Sequence, residues 1–517
     1  MKNFLCFLAF LGLTMTVFAQ KMPVSYDFSE KISDRFRYSN LVALDNDDDG
    51  GYVLVRAYYQ GLILKPRGYL IEHYNSDLEL VKEYNYKLKG LQFVDGFIKN
   101  GQLRLLFFTY NFELGFYEYQ AHTTNLVNFD FKQKQLLKFK TPAVEGAFGK
   151  NYYNRDFNKG FTTTLLMNET KSGFIISTHH KKGKENKHTI HLFDDDLNKK
   201  WEHDFSAAIE EKNYAFESLA ISPSRDQAYL VGKAYFKKKR FQAGDRKFQY
   251  EVVKIGDGMA KTQSFNDEGK YPEALYPIFK QNGLYLVGFY ADRKDNRYNG
   301  LSFFELDAIS LDIERKRYNP FTPQFMEDKF GRGEDDIAVK NLVFKNVYLT
   351  DNNEILFNAE EYFMTNSIQR TGSGERIRME RFHHNDIVSA KLDIQGNMLW
   401  ARNIKKAEVT QGDGAYASYS SYVKDGSTYF FLSTAAENPQ LINGERLIFK
   451  QGYSGNRNVF LISLDANGKM DYEKIIDAKE ARLPLMVSIP LIDKKEDEML
   501  FYAKRGSKKQ LVKVAFN

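Results

Sequence analysis

The run Asp45-Asn46-Asp47-Asp48-Asp49-Gly50 opens like a calcium loop. Carboxylates at alternate positions, here Asp45, Asp47 and Asp49, offer the hard oxygen ligands Ca²⁺ needs, and a glycine makes the sharp bend. The ninth and twelfth positions of such a loop fall on Val53 and Arg56, neither of which supplies an oxygen. The other reading is an exposed acidic turn in front of a strand. His179, His180, His188 and His191 bracket one hairpin, where cross-strand pairing can bring two imidazoles within metal reach. The cationic loop between them opposes a metal. His383-His384 is a second pair.

Neighbouring carboxylates occur at Glu360-Glu361, at Asp335-Asp336 and from Asp194 to Asp196. Glycoside chemistry needs two carboxyls facing each other across a cleft, one of them with a raised pKa. Adjacency along a strand or turn does not provide that. Neither G-x-S-x-G nor H-E-x-x-H occurs, so the nucleophile elbow and the zinc-protease helix are missing as motifs. The chain has one cysteine, Cys6, inside an N-terminal apolar run. Beyond that run no disulfide, thiolate nucleophile or Cys-ligated metal is possible.

That apolar run, Phe4 to Val17, follows Lys2 and ends at Val17-Phe18-Ala19. It reads as a secretory signal over residues 1–19, with Gln20 the first mature residue and residues 20–517 one domain. No later stretch has the roughly 18 uninterrupted apolar residues of a membrane helix. The formal net charge of +6 is mild for 517 residues, and basic runs such as Lys237 to Arg240 are short. Nucleic acid is not the expected partner. An envelope or secreted protein, or a glycan, is.

The elements that must position these residues are strands. Aromatics make up 15% of the chain, Tyr 33 and Phe 43, and Pro only 11, a balance that favours sheet. One phrase recurs: a Gly/Asn/Asp turn, an apolar strand, a second strand, an acidic or Gly turn, a third strand. The apolar strands include YVLVRAYY after Gly51, LRLLFFTY after Gln102, FIISTHH after Gly173, AYLVGKAYF after Gln227 and LYLVGFYA after Gly283. ILFNAEEYF, STYFFLSTA and MLFYAKR continue the series. The closing turns stand at Asn75, Asp130, Asp194, Gly256, Asp307, Asp393 and Asp465, with Asn517 at the eighth place, 51 to 86 residues apart and about 63 on average. That suits a four-stranded blade.

The fold expected is therefore all-β: a single closed β-propeller of eight blades, with seven the next count. Residues 23–32 alternate like a strand and have no partner of their own, so they are expected to pair with the C-terminal strand and hide the open edge. Two segments break the rhythm, 141–162 and 364–386, and read as long binding loops on a rigid scaffold. In the second, Arg370, Glu375, Arg376, Arg378, His383 and His384 are the candidate contacts. Trp201 and Trp400 follow equivalent turns, where packing is the expected role.

Leu392-Asp393-x-x-Gly396-x-x-x-Trp400 resembles the blade signature of quinoprotein-like propellers, with Leu464-Asp465-x-x-Gly468 and Phe193-Asp194 to Trp201 as degenerate copies. That superfamily holds quinone-dependent dehydrogenases and also cofactor-free periplasmic scaffolds, among them the propeller of the outer-membrane protein assembly machinery. The dehydrogenases' vicinal disulfide cannot form here. The resemblance thus implies the scaffold type, without a cofactor unless calcium at the acidic run. The Lys-, Asn-, Tyr- and Phe-rich composition is similar to exported proteins of Bacteroidetes. The expectation is an exported, non-enzymatic propeller of a Gram-negative periplasm or exterior that binds protein or envelope partners. The alternative is a lectin or glycosidase.

Overall fold

The computed structural model describes residues 22–517 apart from 62–63, 89, 112, 141–160, 183–184, 210–211, 238–245, 257, 266, 268, 281–282, 293–296, 332–338, 371–375, 413, 436, 443–445, 452–456 and 482. Residues 1–19, expected as the signal, and the acidic pair Asp335-Asp336 therefore lie outside the described residues, as does nearly all of the segment 141–162.

The described residues form eight small sheets in chain order. The first joins Ser39–Asn46, Tyr52–Gln60, Lys65–Tyr74 and Leu80–Tyr86. The next four begin at strands Gln92–Lys99, Phe161–Met167, Lys212–Ile221 and Tyr271–Lys280, each followed by three more antiparallel strands. The sixth runs Leu342–Leu349, Ile355–Arg370, Arg376–Leu392 and Met398–Thr410, with two short strands added at its edge. The seventh begins at Ser420–Lys424. The eighth takes Leu491–Asp493, Glu498–Arg505 and Lys508–Phe516 from the far end of the chain, and its last strand, Val24–Phe28, from the near end. Val24 pairs with Phe516 and Phe28 with Val512, antiparallel.

The second strand of each sheet explains the arrangement. Successive side chains on a strand point to opposite faces. In the first sheet Val53 packs with Leu105 of the second sheet, while its neighbour Leu54 packs with Leu500 of the eighth. Leu106 turns the other way, to Phe174 of the third sheet. The same split divides Leu230 from Val231, Leu286 from Val287, Leu356 from Phe357 and Phe430 from Phe431. Every sheet is thus buried on both faces, which is why these strands read as continuous apolar runs. The last core, holding Leu500 and Tyr502 with Tyr52 and Leu54, brings the eighth sheet against the first.

Four of the expected closing turns are built by one device. The side-chain oxygens of Asn75, Asp194, Asp393 and Asp465 accept from the backbone N–H four residues on, at 2.8–2.9 Å. Gly396 and Gly468 take φ +83° and +76°. A side chain at Gly468 would press on Trp400, whose Nε1 donates to Ala466 O at 2.9 Å. Trp201 donates likewise to Asp226 O of the next sheet at 2.7 Å.

The segment 364–386 is not a loop. Ile355–Arg370 and Arg376–Leu392 form one hairpin, 16 and 17 residues long, pairing Met364 with Phe382 and Gln369 with Ile377. Its outer part is a ribbon with both faces toward solvent, Met364, Thr365 and Asn366 being exposed in succession. A strand solvated on both sides loses the apolar alternation by which strands are recognised. A helix over Pro323–Phe330, capped by Thr322 Oγ1 accepting from Phe325 N, lies against Met398–Thr410 and was not anticipated by the repeat. No described helix is long and apolar enough to cross a membrane.

A buried ionic network joins the first sheet to the eighth. Arg56, fully buried, donates from Nη1 to Asp34 at 2.6 Å and from Nε to Glu72 at 2.7 Å. Lys504 reaches Asp34, and Lys509 reaches Glu72. Removing one member strands charge in a dry interior. Arg56→Ala should lower unfolding free energy by about 3–5 kcal/mol in urea titration; a change below about 1 kcal/mol would show that the network does not hold the two sheets together.

Candidate functional site

The first strand of a sheet carries one extra residue at an equivalent step in five of the eight sheets. The unpaired residue is Val42, Val94, Glu217, Glu273 and Lys345 in the first, second, fourth, fifth and sixth sheets. A bulge bends its strand and re-aims the side chain it carries. In three consecutive sheets the re-aimed side chain is charged. Opposite two of the bulges stand Gly232 and Gly288, where any Cβ would overlap the carbonyl oxygens of Ala215 and Ala274. The bulged backbone comes too close for a side chain there. The shared Leu-Val-Gly of AYLVGKAYF and LYLVGFYA was the signal in the sequence for these bulges, and it went unused.

Glu217 and Glu273 belong to one cluster on neighbouring first strands. Glu217 is 40% exposed at its side chain, Glu273 only 3%. Glu217 Oε2 accepts from the Tyr250 hydroxyl at 2.7 Å, and Oε1 from Lys233 Nζ at 2.8 Å. Glu273 Oε1 is held by Arg246 Nη1 at 2.5 Å, whose second arm donates to Pro272 O. The Arg246 guanidinium lies 4.7 Å from the Phe248 ring centre and 4.9 Å from that of Tyr271. Burial, then Glu217, pushes the Tyr250 phenol well up. Burial, then Glu273 and Glu217, does the same for Tyr298. Both phenols stay protonated, and so can donate, throughout the physiological range. The result is one solvent-facing carboxylate oriented by a phenol and an ammonium, with a second, clamped carboxylate behind it.

Lys345 feeds a different centre. Its Nζ lies 3.2 Å from Glu360 Oε2, which also accepts from Ser418 Oγ at 2.8 Å and meets His384 Nδ1 at 3.2 Å. Lys406, 2% exposed, bridges Glu360 and Glu408 at 3.1 and 2.9 Å. Burial pushes the Glu360 carboxyl up, but Lys406, the His384 hydrogen bond and Lys345 outweigh it and hold it at about 2. Glu361 points elsewhere, to Lys329 at 2.7 Å. This centre is sealed and structural in geometry.

The other sequence candidates are dispersed. Asp45 Oδ2 accepts from Ile98 N and Lys171 Nζ, at 2.8 and 3.0 Å. Asp47 Oδ1 accepts from the N–H groups of Asp49 and Gly51, and its Oδ2 meets His73 at 2.6 Å. Those two carboxylates serve the turn and its neighbours. No group of three or more His, Cys, Asp or Glu gathers as a metal site among the described residues. His179 and His188 are paired across their hairpin, rings 5.4 Å apart, while His191 turns to Glu202. Asp195, 1% exposed, ties Lys99 and Arg225 of the sheets on either side. On the ribbon, His383 stacks on Phe363 and meets Thr365 Oγ1 at 2.9 Å, Arg378 donates to Asn366, and Arg376 is exposed. Arg370 ends its strand, and Glu375 lies outside the described residues. His384, 7% exposed, belongs to the Glu360 centre and not to a binding surface.

No family model matches the chain, and no curated protein does. Among solved structures it is similar to a prolyl endopeptidase, 9% identical with TM-score 0.33, covering 83% of this chain and 46% of that one. It is similar to the acylaminoacyl peptidase of Pyrococcus horikoshii, at 11% and 0.34, covering 81% and 52%. The polysaccharide lyase Uly1 stands at 8% and 0.35, covering 93% of this chain and 90% of that one. The chain spans about half the length of the two peptidases. These neighbours are enzymes, and the expectation of a non-enzymatic scaffold is corrected accordingly. At such identities and TM-scores the likeness supplies no reaction, substrate or residue role.

Two outcomes are expected. Gly288→Ala should destabilise by about 2–3 kcal/mol in urea unfolding, because the methyl must displace the bulge that carries Glu273; a loss under about 0.5 kcal/mol would contradict the close approach. The Glu360 carboxyl titrates near 2 when folded against an ordinary value of 4.5, so its stabilisation is full above pH 4.5 and drains away as pH falls toward 2. The urea midpoint of the wild type should drop over that window, and Glu360→Gln should flatten the drop.

Proposed function

We propose that the chain is a carbohydrate-active propeller: a closed ring of eight four-stranded blades, exported under the signal at residues 1–19, that takes a glycan at the Glu217–Glu273 cluster. The two bulged carboxylates carry this reading. They sit on adjacent first strands, differ in exposure, and are surrounded by aromatic rings and by phenols that remain donors. Sugar recognition needs such convergent acceptors and donors beside flat apolar faces. In this reading Glu217 meets the sugar: its carboxylate takes a proton from the attacking water, and the Lys233 ammonium beside it gives one to the departing oxygen. Tyr250 and Lys233 orient it, and the Arg246–Glu273 pair fixes the wall behind. The eight successive two-sheet cores, and the pairing of Val24–Phe28 with Lys508–Phe516, support the ring.

The test is a glycan-array and hydrolysis screen of the mature chain with Glu217→Gln beside it. Loss of a positioned base costs about 10²–10⁴ in rate. The variant should lose cleavage by that order with an unchanged melting temperature. Equal activity of variant and wild type, or no glycan bound or cleaved at all, would remove the reading.

A further inference from the structure

A cleft of about 310 Å³ lies beside the segment that leads into the first sheet, lined by Arg35, Phe36, Arg37, Tyr38, Tyr59 and Gly61, among others. The segment alternates from Asp34 to Arg37 and then turns two residues outward in succession. Asp34, Phe36 and Ser39 turn inward, and Arg35, Arg37 and Tyr38 outward. Among the described residues neither arginine has an ion-pair or hydrogen-bond partner. Each guanidinium instead lies over the ring of the next residue, Arg35 5.4 Å from the Phe36 centre and Arg37 5.6 Å from that of Tyr38. A guanidinium stacked by its face keeps its N–H edge for an anion.

The inward residues make this bracket rigid. Asp34 Oδ1 accepts from Phe36 N at 3.0 Å, and Ser39 Oγ donates to Phe36 O at 3.1 Å, as does Lys504 Nζ. Phe36 is stacked on Tyr58, centres 3.9 Å apart. The carboxylates beneath, Asp34 and Glu72, are already matched by Arg56, Lys504 and Lys509. No acidic group is left over in that network to neutralise the two arginines above it. The site is pre-ordered, cationic and walled by aromatic rings, with Tyr38 51% exposed.

We propose that this cleft binds an anionic sugar residue, a ring carrying a carboxylate or a sulfate, with the anion on Arg35 and Arg37 and the ring against Tyr38 and Tyr59. The site lies in the first sheet, away from the Glu217 cluster of the fourth, and would hold a charged polymer independently of any chemistry there. It rests on the carbohydrate reading for the class of ligand alone.

Binding of polygalacturonate, dextran sulfate and neutral dextran is measured by affinity electrophoresis and calorimetry at low and high salt. The proteins are the wild type, Arg35→Ala/Arg37→Ala and Arg35→Lys/Arg37→Lys. A control, Lys469→Ala/Lys495→Ala, removes two other exposed cations. The wild type should bind at least one acidic polymer and ignore dextran. The double alanine variant should lose about tenfold or more in affinity, as expected when about 1.4 kcal/mol or more of contact is removed. The lysine variant should recover part of it, and the control none of the loss should touch. Preference for polygalacturonate identifies a carboxylate, and for dextran sulfate a sulfate. The proposal is overturned if the alanine variant binds like the wild type, if the control falls equally, if dextran binds as well, or if no acidic polymer binds. Acidic polymer bound but never cleaved would sink the role of Glu217 and leave this cleft standing.

Discussion

Burial on two faces is the constraint from which the rest follows. A sheet with one apolar side needs one neighbour. A sheet whose second strand buries apolar side chains at successive positions needs two. Val53 and Leu54 cannot both be satisfied unless a sheet stands on each side, and the same holds for Leu105 and Leu106, or Phe430 and Phe431. No terminal sheet in an open row could meet that demand. The first and last sheets therefore meet, through the core of Leu54, Tyr52, Leu500 and Tyr502 and through the Arg56 network beside it.

Polar chemistry concentrates where this packing is interrupted. The bulges on first strands break the pairing ladder in five of the eight sheets, and in three of them give a charged side chain a direction that regular strand geometry would deny it. Glu217, Glu273 and Lys345 occupy the same step of three neighbouring sheets yet meet different fates. Glu217 reaches solvent, Glu273 is clamped by arginine, and Lys345 leans on the sealed Glu360 centre. The difference comes from what the next strands supply at that level.

Much of the scaffold was legible in the sequence. Asp393, Asp465 and Asp194 announced their turns because a short carboxylate that accepts from the backbone is a local device, independent of tertiary context. The second strands announced themselves by unbroken apolar runs. The first strands did not. They are only partly buried and mix Ser39, Asn40 and Asp45, or Gln92 and Asp95, with apolar residues. The long ribbon was hidden by its charge, and the helix at Pro323–Phe330 by its brevity. The candidate site was out of reach for a different reason: Glu217 and Glu273 are 56 positions apart and ordinary in composition. What marks them is the glycine each bulge requires on the facing strand, and the shared Leu-Val-Gly acquires that meaning only once the two strands are paired.

The pairing of Ser25 with Ala515 also sets an order of events. A polypeptide emerging N-terminus first offers residues 24–28 at the outset, while the strand that receives them is made almost five hundred residues later. Until then that early segment has no place to dock, and the outermost position of the final sheet stays vacant. Cooperative completion must wait for the two extremities to meet, a slow encounter at such sequence separation. Until then the nascent chain is an unfinished string of sheets, dependent on whatever keeps such edges apart from one another until the clasp is fastened.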